Sequence, residues 1–245
     1  MAITYQTTLP DPNNSIGNAG QNTGLEDQHV GYKSVKLSSK SQIMKNRTNS
    51  GRLITRSHGS HTWNINITYN PMTRAEFEPI YNFLLNRRGG LDPFYVSLPQ
   101  YRVPQDSTFA AYALADLTRI VVDESSGVAA GATKFKIDGV LEAHVISPGD
   151  LFTITDGSDS SHTKAYRITQ VETNAAGTFE SAPPPAVDER IIHFVPGLAK
   201  SVTNDAQMNF HNPLIRVILS NDVQEYSLGV DGLYQFSLNL EEAQP

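Results

Sequence analysis

The sequence predicts a mainly β protein: an antiparallel β-domain with one flanking α-helix, interrupted by an inserted small β-barrel or sandwich. Three observations carry this. Trp63, Ile65, Ile67 and Tyr69 alternate with Thr62, Asn64, Asn66 and Thr68, and Tyr234, Phe236, Leu238 and Leu240 repeat the pattern near the end. Side chains on a strand point to opposite faces in turn, so each run reads as a half-buried antiparallel strand. Residues 128–196 hold short apolar runs separated by Gly, Asp and Pro turns, the spacing of a small barrel or sandwich. One stretch alone, Phe77–Leu84, has clear helical periodicity.

In chain order, residues 1–28 are rich in Asn, Gly, Gln and Thr, with Pro10 and Pro12. Such a segment buries too little to offset its ordering entropy alone, so a flexible N-terminal arm is expected, either free or ordered on a neighbour. Residues 29–127 and 197–245 are assigned to the discontinuous β-domain and 128–196 to the insertion. Strand-like pattern begins at Tyr32, Val35 and Leu37 and resumes at Leu53 and Ile54 before the Trp63 strand.

Thr73 and Glu76 then stand in capping-box spacing ahead of an apolar stripe at Phe77, Ile80, Tyr81 and Leu84. Arg87 and Arg88 fit a last helical turn, where cations complement the dipole, and Gly89–Gly90 supply the stop. The helix is therefore expected over 74–88. Phe94–Leu98 reads as a short strand, Ala110–Leu117 as a helical turn and Arg119–Asp123 as a strand. Inside the insertion, Lys134–Ile137, Leu151–Ile154, Tyr166–Ile168 and Ile191–Val195 are the strand runs; Leu214–Leu219 and Tyr234–Leu240 follow it.

Composition narrows the function. There is no cysteine, which excludes disulfides, thiolate metal sites and cysteine nucleophiles together. Asp and Glu number 25 against 19 Lys and Arg, a formal charge of −6. A phosphate-neutralising surface calls for a basic excess or stripe. Lys33, Lys36, Lys40, Lys45, Arg47 and Arg52 read as spread among polar residues, so stable DNA binding is not expected. Net negativity suits a surface past which DNA slides. The first residues lack a basic start and an apolar run, so no signal peptide is expected, and no apolar stretch approaches the roughly 18–20 residues a bilayer crossing needs.

Reactive constellations are sparse. His58 and His61 stand three apart, a spacing that can share a metal, but a site needs a third ligand; turn histidines bonded to backbone are the plainer reading. His29, His144, His162, His193 and His211 are scattered. Asp156 and Asp159 lie in a loop whose two carboxylates make a poor calcium cage and suit a solvated hairpin. Glu76 and Glu78, two apart, cannot share a helix face, and Glu241 and Glu242 point opposite ways on a strand. No nucleophile elbow or phosphate loop is present. No catalytic, cofactor-binding or metal-binding residue is therefore assigned, no cofactor is expected, and the chain reads as a non-enzyme. Trp63, Tyr69, Phe94, Tyr234 and Phe236 are expected in the core, with a sugar-binding platform as the alternative.

The run from Arg47 to Pro99 resembles the N-terminal region of tailed-phage distal tail proteins and related minor tail or tube-initiator proteins. In that family a tryptophan strand leads into a helix, then R-x-G and an aromatic strand; Trp63, Phe77–Leu84, Arg88–Gly90 and Phe94 follow that order. Pro148–Phe152 with Lys164–Ile168, and the closing Tyr234–Glu242, are similar in a looser way. The resemblance implies a tail-tube-like antiparallel β-sandwich or barrel, whose copies form a hexameric ring around a lumen. Its expected place is the virion, at the tail tip or baseplate, after synthesis in the host cytoplasm. The expected partners are other copies of itself, the tail tube protein, and the baseplate hub or other tail-tip proteins. DNA would pass through without specific binding, and no membrane is involved. A carbohydrate-binding or adhesin module of the tail tip is the alternative.

Overall fold

The computed structural model describes residues 7–10, 32–175, 177–180, 184–221 and 224–243, with the backbone alone over 57–60. In chain order the elements are β1 (Tyr32–Arg47), β2 (Leu53–Tyr69), α1 (Arg74–Asn86), β3 (Phe94–Ser97), α2 (Ser107–Ala115), β4 (Val121–Val122), β5 (Lys134–Asp138), β6 (Leu151–Thr155), β7 (Ala165–Glu172), β8 (Arg190–Val195), β9 (Gln207–Asn209), β10 (Leu214–Leu219), β11 (Tyr226–Leu228) and β12 (Tyr234–Glu242). The chain is mainly β. It divides into two compact units, Met1–Val96 with Arg216–Ala243, and Ser97–Ile215.

The first unit is a sheet in the order β1-β2-β12-β10-β3, with β11 paired to β12. The two alternating runs meet in it: Ile67 pairs with Leu238 and Ile65 with Leu240. Directly opposed residues share a face, so the four apolar side chains form one buried stripe. Helix α1 begins where Thr73 donates both its backbone N–H and its hydroxyl to the Glu76 carboxylate, each at 2.8 Å. Phe77, Ile80, Phe83 and Leu84 are its buried face. Phe77 stacks on Tyr234 at 4.6 Å and meets Phe236 edge-on at 5.8 Å. The aromatic strand and the helix stripe are thus each other's partners.

The helix is shorter than the expected 74–88. It ends at Asn86, with Arg87 as cap, because Arg88 and Gly89 both take left-handed conformations, φ 53° and 69°. Arg88 does not serve the helix dipole; its guanidinium grips Asp92 at 2.8 and 3.0 Å and pins the exit turn.

The N-terminal arm also departs from expectation at four residues. Tyr95 donates its N–H to Thr7 and Leu9 donates to Tyr95, both at 2.8 Å, and Leu9 is buried. Residues 7–10 therefore lie along β3 of their own chain, held by an apolar anchor that composition alone does not reveal. The rest of the proposed 1–28 arm lies outside the described residues.

The second unit is a closed antiparallel barrel in the order β4-β5-β8-β7-β6-β9. The insertion expected over 128–196 is too narrow. The closing strands β4 and β9 come from outside it: Val121 pairs with Asp138 on one side and Gln207 on the other. Strand β4 falls within the expected Arg119–Asp123 strand but pairs into the barrel, while β9, at three residues, is too short to show a period in sequence. Helix α2, read only as a turn, belongs to this unit. Asp106 caps it by accepting from Phe109 N–H at 2.7 Å, and Phe109 packs edge-on against Phe210 at 5.2 Å. Phe152 sits at the centre, with the rings of Tyr166, Phe194 and Phe210 centred 5.5, 5.6 and 5.7 Å away. Closure satisfies both edges of every strand, which an open sheet cannot do.

Candidate functional site

The most distinctive surface is the β1–β2 hairpin of the first unit. Its register runs from Tyr32 opposite Tyr69 to Arg47 opposite Leu53. The turn is set locally. Gly51, at φ 83°, donates to the Thr48 carbonyl at 2.9 Å, and Thr48 N–H donates to Arg52 at 3.0 Å. Arg52 N–H also donates to the Thr48 hydroxyl at 3.1 Å.

Along this ribbon the environment changes. In the inner half Trp63, Ile65, Ile67 and Tyr69 are buried; in the outer half Ile43, Met44, Leu53 and Ile54 are all more than half exposed. The reason lies in the pattern. Inner apolar residues come every second position, while the outer ones come as adjacent pairs and so must face both ways. One face of the outer ribbon carries Ile43, Lys45, Arg47 and Leu53; the other carries Met44, Ile54 and Arg56. A register shift between Ser41 and Ile43, opposite residues 57–61, separates the two halves. An isolated two-stranded ribbon is marginal in water, and exposed apolar groups on both faces are a surface for docking.

The charge is as segregated as the apolar surface. Between Asp27 and Glu76 there is no carboxylate, while Lys33, Lys36, Lys40, Lys45, Arg47, Arg52 and Arg56 all lie on the hairpin. Seven positive charges here, in a chain of net −6, leave −13 on the remainder. None of the seven is ion-paired among the described residues. The cations read in sequence as scattered are therefore gathered by the fold onto one ribbon. The signal that finds them is the acid-free stretch, and not any basic run.

Neither a protein-family model nor a curated protein matches the chain.

The other sequence candidates fall into structural roles. His58 and His61 are not in a turn; both lie within β2. His61 Nε2 is 2.9 Å from the Ser39 hydroxyl and its ring meets Trp63 edge-on; the His58 side chain and all of His29 lie outside the described residues. His144 stacks on Tyr112 at 4.1 Å, and His162 Nε2 is 2.7 Å from the Tyr166 hydroxyl. Burial lowers the His162 pKa against the nearby Asp159 and Asp156, and burial likewise lowers that of His211. His193 meets the buried Glu172 at 2.7 Å. Among the described residues no three of His, Asp and Glu gather as metal ligands would.

The Asp156–Ser161 loop is not an open cage. Asp156 is buried and accepts from the N–H and hydroxyl of both Ser158 and Thr203, at 2.7 to 2.9 Å. Burial works against its charge, but those four bonds outweigh it and hold the carboxyl down at about 2. Asp159 is likewise held at about 2 by the Ser161 hydroxyl and N–H and by Lys200, 3.2 Å away. Both carboxylates already have donors of their own. Glu76 is the helix cap, Glu78 pairs with Arg74 at 3.2 Å, and Glu242 accepts from the buried Trp63 N–H at 3.0 Å. Trp63, Tyr69, Phe94 and Phe236 are buried, Tyr234 less completely; in the barrel Phe135, Phe152, Tyr166, Phe194 and Phe210 are all spent on its core.

Proposed function

We propose that the chain is a structural subunit that joins copies of itself into a ring, and that the ring sits in a phage tail tip between the tail tube and the hub, around the DNA channel. The phage setting and the six-fold ring rest on the resemblance carried by Arg47–Pro99. The self-association rests on one observation: a ribbon of seven cations, none ion-paired among the described residues, with apolar residues on both faces, in a chain otherwise at −13. The complementary surface for such an arm is on another copy. A contact between two different patches on identical subunits closes into a ring when its rotation allows. Opposite charge steers the arm onto its seat and rejects other registers. With the cations engaged by a neighbour, an acidic lumen lets DNA pass without sticking.

The test is assembly of the purified full chain, followed by light scattering and negative-stain microscopy. Rings are expected at low salt, dissociating as salt rises, because the Debye length shrinks from about 10 Å at 0.1 M to about 3 Å at 1 M. Reversal of Lys36, Lys40 and Lys45 to Glu leaves a folded monomer. A wild-type chain that stays monomeric at every salt and concentration overturns the reading. So does duplex DNA binding with a steep salt slope that the reversed variant loses, which would assign the arm to phosphate.

A further inference from the structure

The barrel unit carries a second feature, independent of the hairpin and of the assembly reading. A cavity of about 220 Å³ opens beside β6 and β7, lined by Gln100, Tyr101, Gln105, Gly149, Asp150 and Arg167 among others. Its walls are fixed by backbone. Gly149 donates to the Ile168 carbonyl at 2.8 Å and Ile168 donates to that of Asp150 at 2.9 Å. Asp150 is buried; one carboxylate oxygen accepts from Gln105 N–H at 3.0 Å and the other from Ser147 N–H at 3.1 Å. Gln105 donates its side-chain amide to the Pro148 carbonyl at 3.0 Å.

Arg167 is the group this frame leaves unanswered. It is partly exposed, its guanidinium carbon lies 5.5 Å from the centre of the Tyr101 ring, and no carboxylate among the described residues pairs with it. Asp150, the acid in the cavity lining, spends both oxygens on backbone donors. Gly149 makes room for the arginine. Its φ of 104° suits glycine alone, and a Cβ there would lie 3.6 Å from Arg167 Nη2 and 3.0 Å from Gln105 Nε2.

We propose that this cavity binds a single carboxylate, gripped by Arg167. The planar guanidinium presents paired N–H donors that match a carboxylate fork. The volume falls below the roughly 300–1,000 Å³ of sites that hold drug-sized ligands, so the occupant is one small acid or one Asp or Glu side chain of a docking protein. The Asp150 carboxylate in the wall, with both oxygens already bonded to backbone N–H groups, favours a monoanion over a phosphate dianion, since the second charge adds repulsion without adding a partner.

The test is an NMR titration of the full chain at constant ionic strength, following the Arg167 side-chain Nε–H and the Gly149 N–H. The probes are sodium acetate, inorganic phosphate, and the blocked tripeptide acetyl-Gly-Glu-Gly-amide. Saturable shifts are expected with acetate and with the tripeptide, and weaker binding of phosphate. Arg167→Lys, which keeps the charge and loses the fork, weakens acetate binding about tenfold; an unchanged amide spectrum elsewhere shows that this variant folds. Tighter binding of the tripeptide than of acetate identifies a partner's acidic side chain, and the reverse identifies a free small acid. Shifts that never saturate, phosphate binding at least as tight as acetate, or an unaffected Arg167→Lys variant each overturn the proposal.

Discussion

The barrel and the hairpin are made of the same kind of strand and end in opposite states. In the barrel each strand has a neighbour on both sides, and Phe135, Phe152, Ile154, Ile168 and Phe194 vanish into one core. In the hairpin, β1 is the edge of an open sheet, and from Met44 and its partner Arg56 out to the turn both faces of the ribbon meet water. The two solve the problem of unpaired strand edges differently. Closure removes the edge; the hairpin keeps it and studs it with lysines, which resist random pairing but leave it open to a chosen partner. The same kind of apolar residue is thus buried in one place and left at the surface in the other.

The sharpest way to break that contrast is at the barrel centre. Phe152→Ala removes a fully buried ring flanked by four others, those of Phe135, Tyr166, Phe194 and Phe210. A loss of about 3–5 kcal/mol is expected from lost burial plus the cavity left behind. Urea unfolding followed by far-ultraviolet circular dichroism reads it. A loss below about 1 kcal/mol would mean the core tolerates collapse and is not the unit's main support.

A smaller effect separates charge that builds the fold from charge that faces outward. The Asp156 carboxyl titrates at about 2 in the fold against an ordinary 3.8. Because the folded value is the lower one, the carboxylate stabilises the barrel fully above about pH 4, and this is lost as pH falls from 4 through 2. The shift corresponds to about 2 kcal/mol. Asp156→Asn should lose about that much at neutral pH, and its stability should fall less than the wild type's between pH 4 and pH 2. Parallel curves for the two proteins would sink the assignment.

These residues also mark how far the sequence could be read. Strands with four or more alternating residues, such as Trp63–Tyr69 and Lys134–Ile137, are visible because burial on one face dictates their period. The capping box of Thr73 and Glu76 is visible because it is local. The closing of the barrel is not: Arg119–Asp123 reads as a strand, but that β4 belongs to the barrel, and that the three-residue β9 exists at all, is decided by distant partners, with Val121 answering to Asp138 and Gln207 at once. Nor is the Arg167 cavity, whose walls come from 100–105, 149–151 and 167. The basic hairpin lies between these cases. Its cations are plain in sequence, but only the pairing of Tyr32–Arg47 with Leu53–Tyr69 turns spaced single charges into a surface.

The finest comparison lies within one strand. Ile54 and Ile67 both belong to β2, yet Ile54 is 52% exposed and Ile67 fully buried. Ile67→Ala should cost about 2–5 kcal/mol through the cavity it leaves between β1 and β12. Ile54→Ala should change the monomer's stability by no more than about 0.5 kcal/mol, because its side chain already meets water there. If the outer ribbon docks on a neighbouring copy, however, Ile54 is buried only in the assembly. The same substitution should then raise the concentration at which rings form about tenfold, the equivalent of about 1.4 kcal/mol per contact. Light scattering across a dilution series measures it. An Ile54→Ala protein that assembles at the wild-type concentration would show that the exposed apolar pairs of the arm are not what the neighbour grips, and would leave its seven cations to carry the association alone.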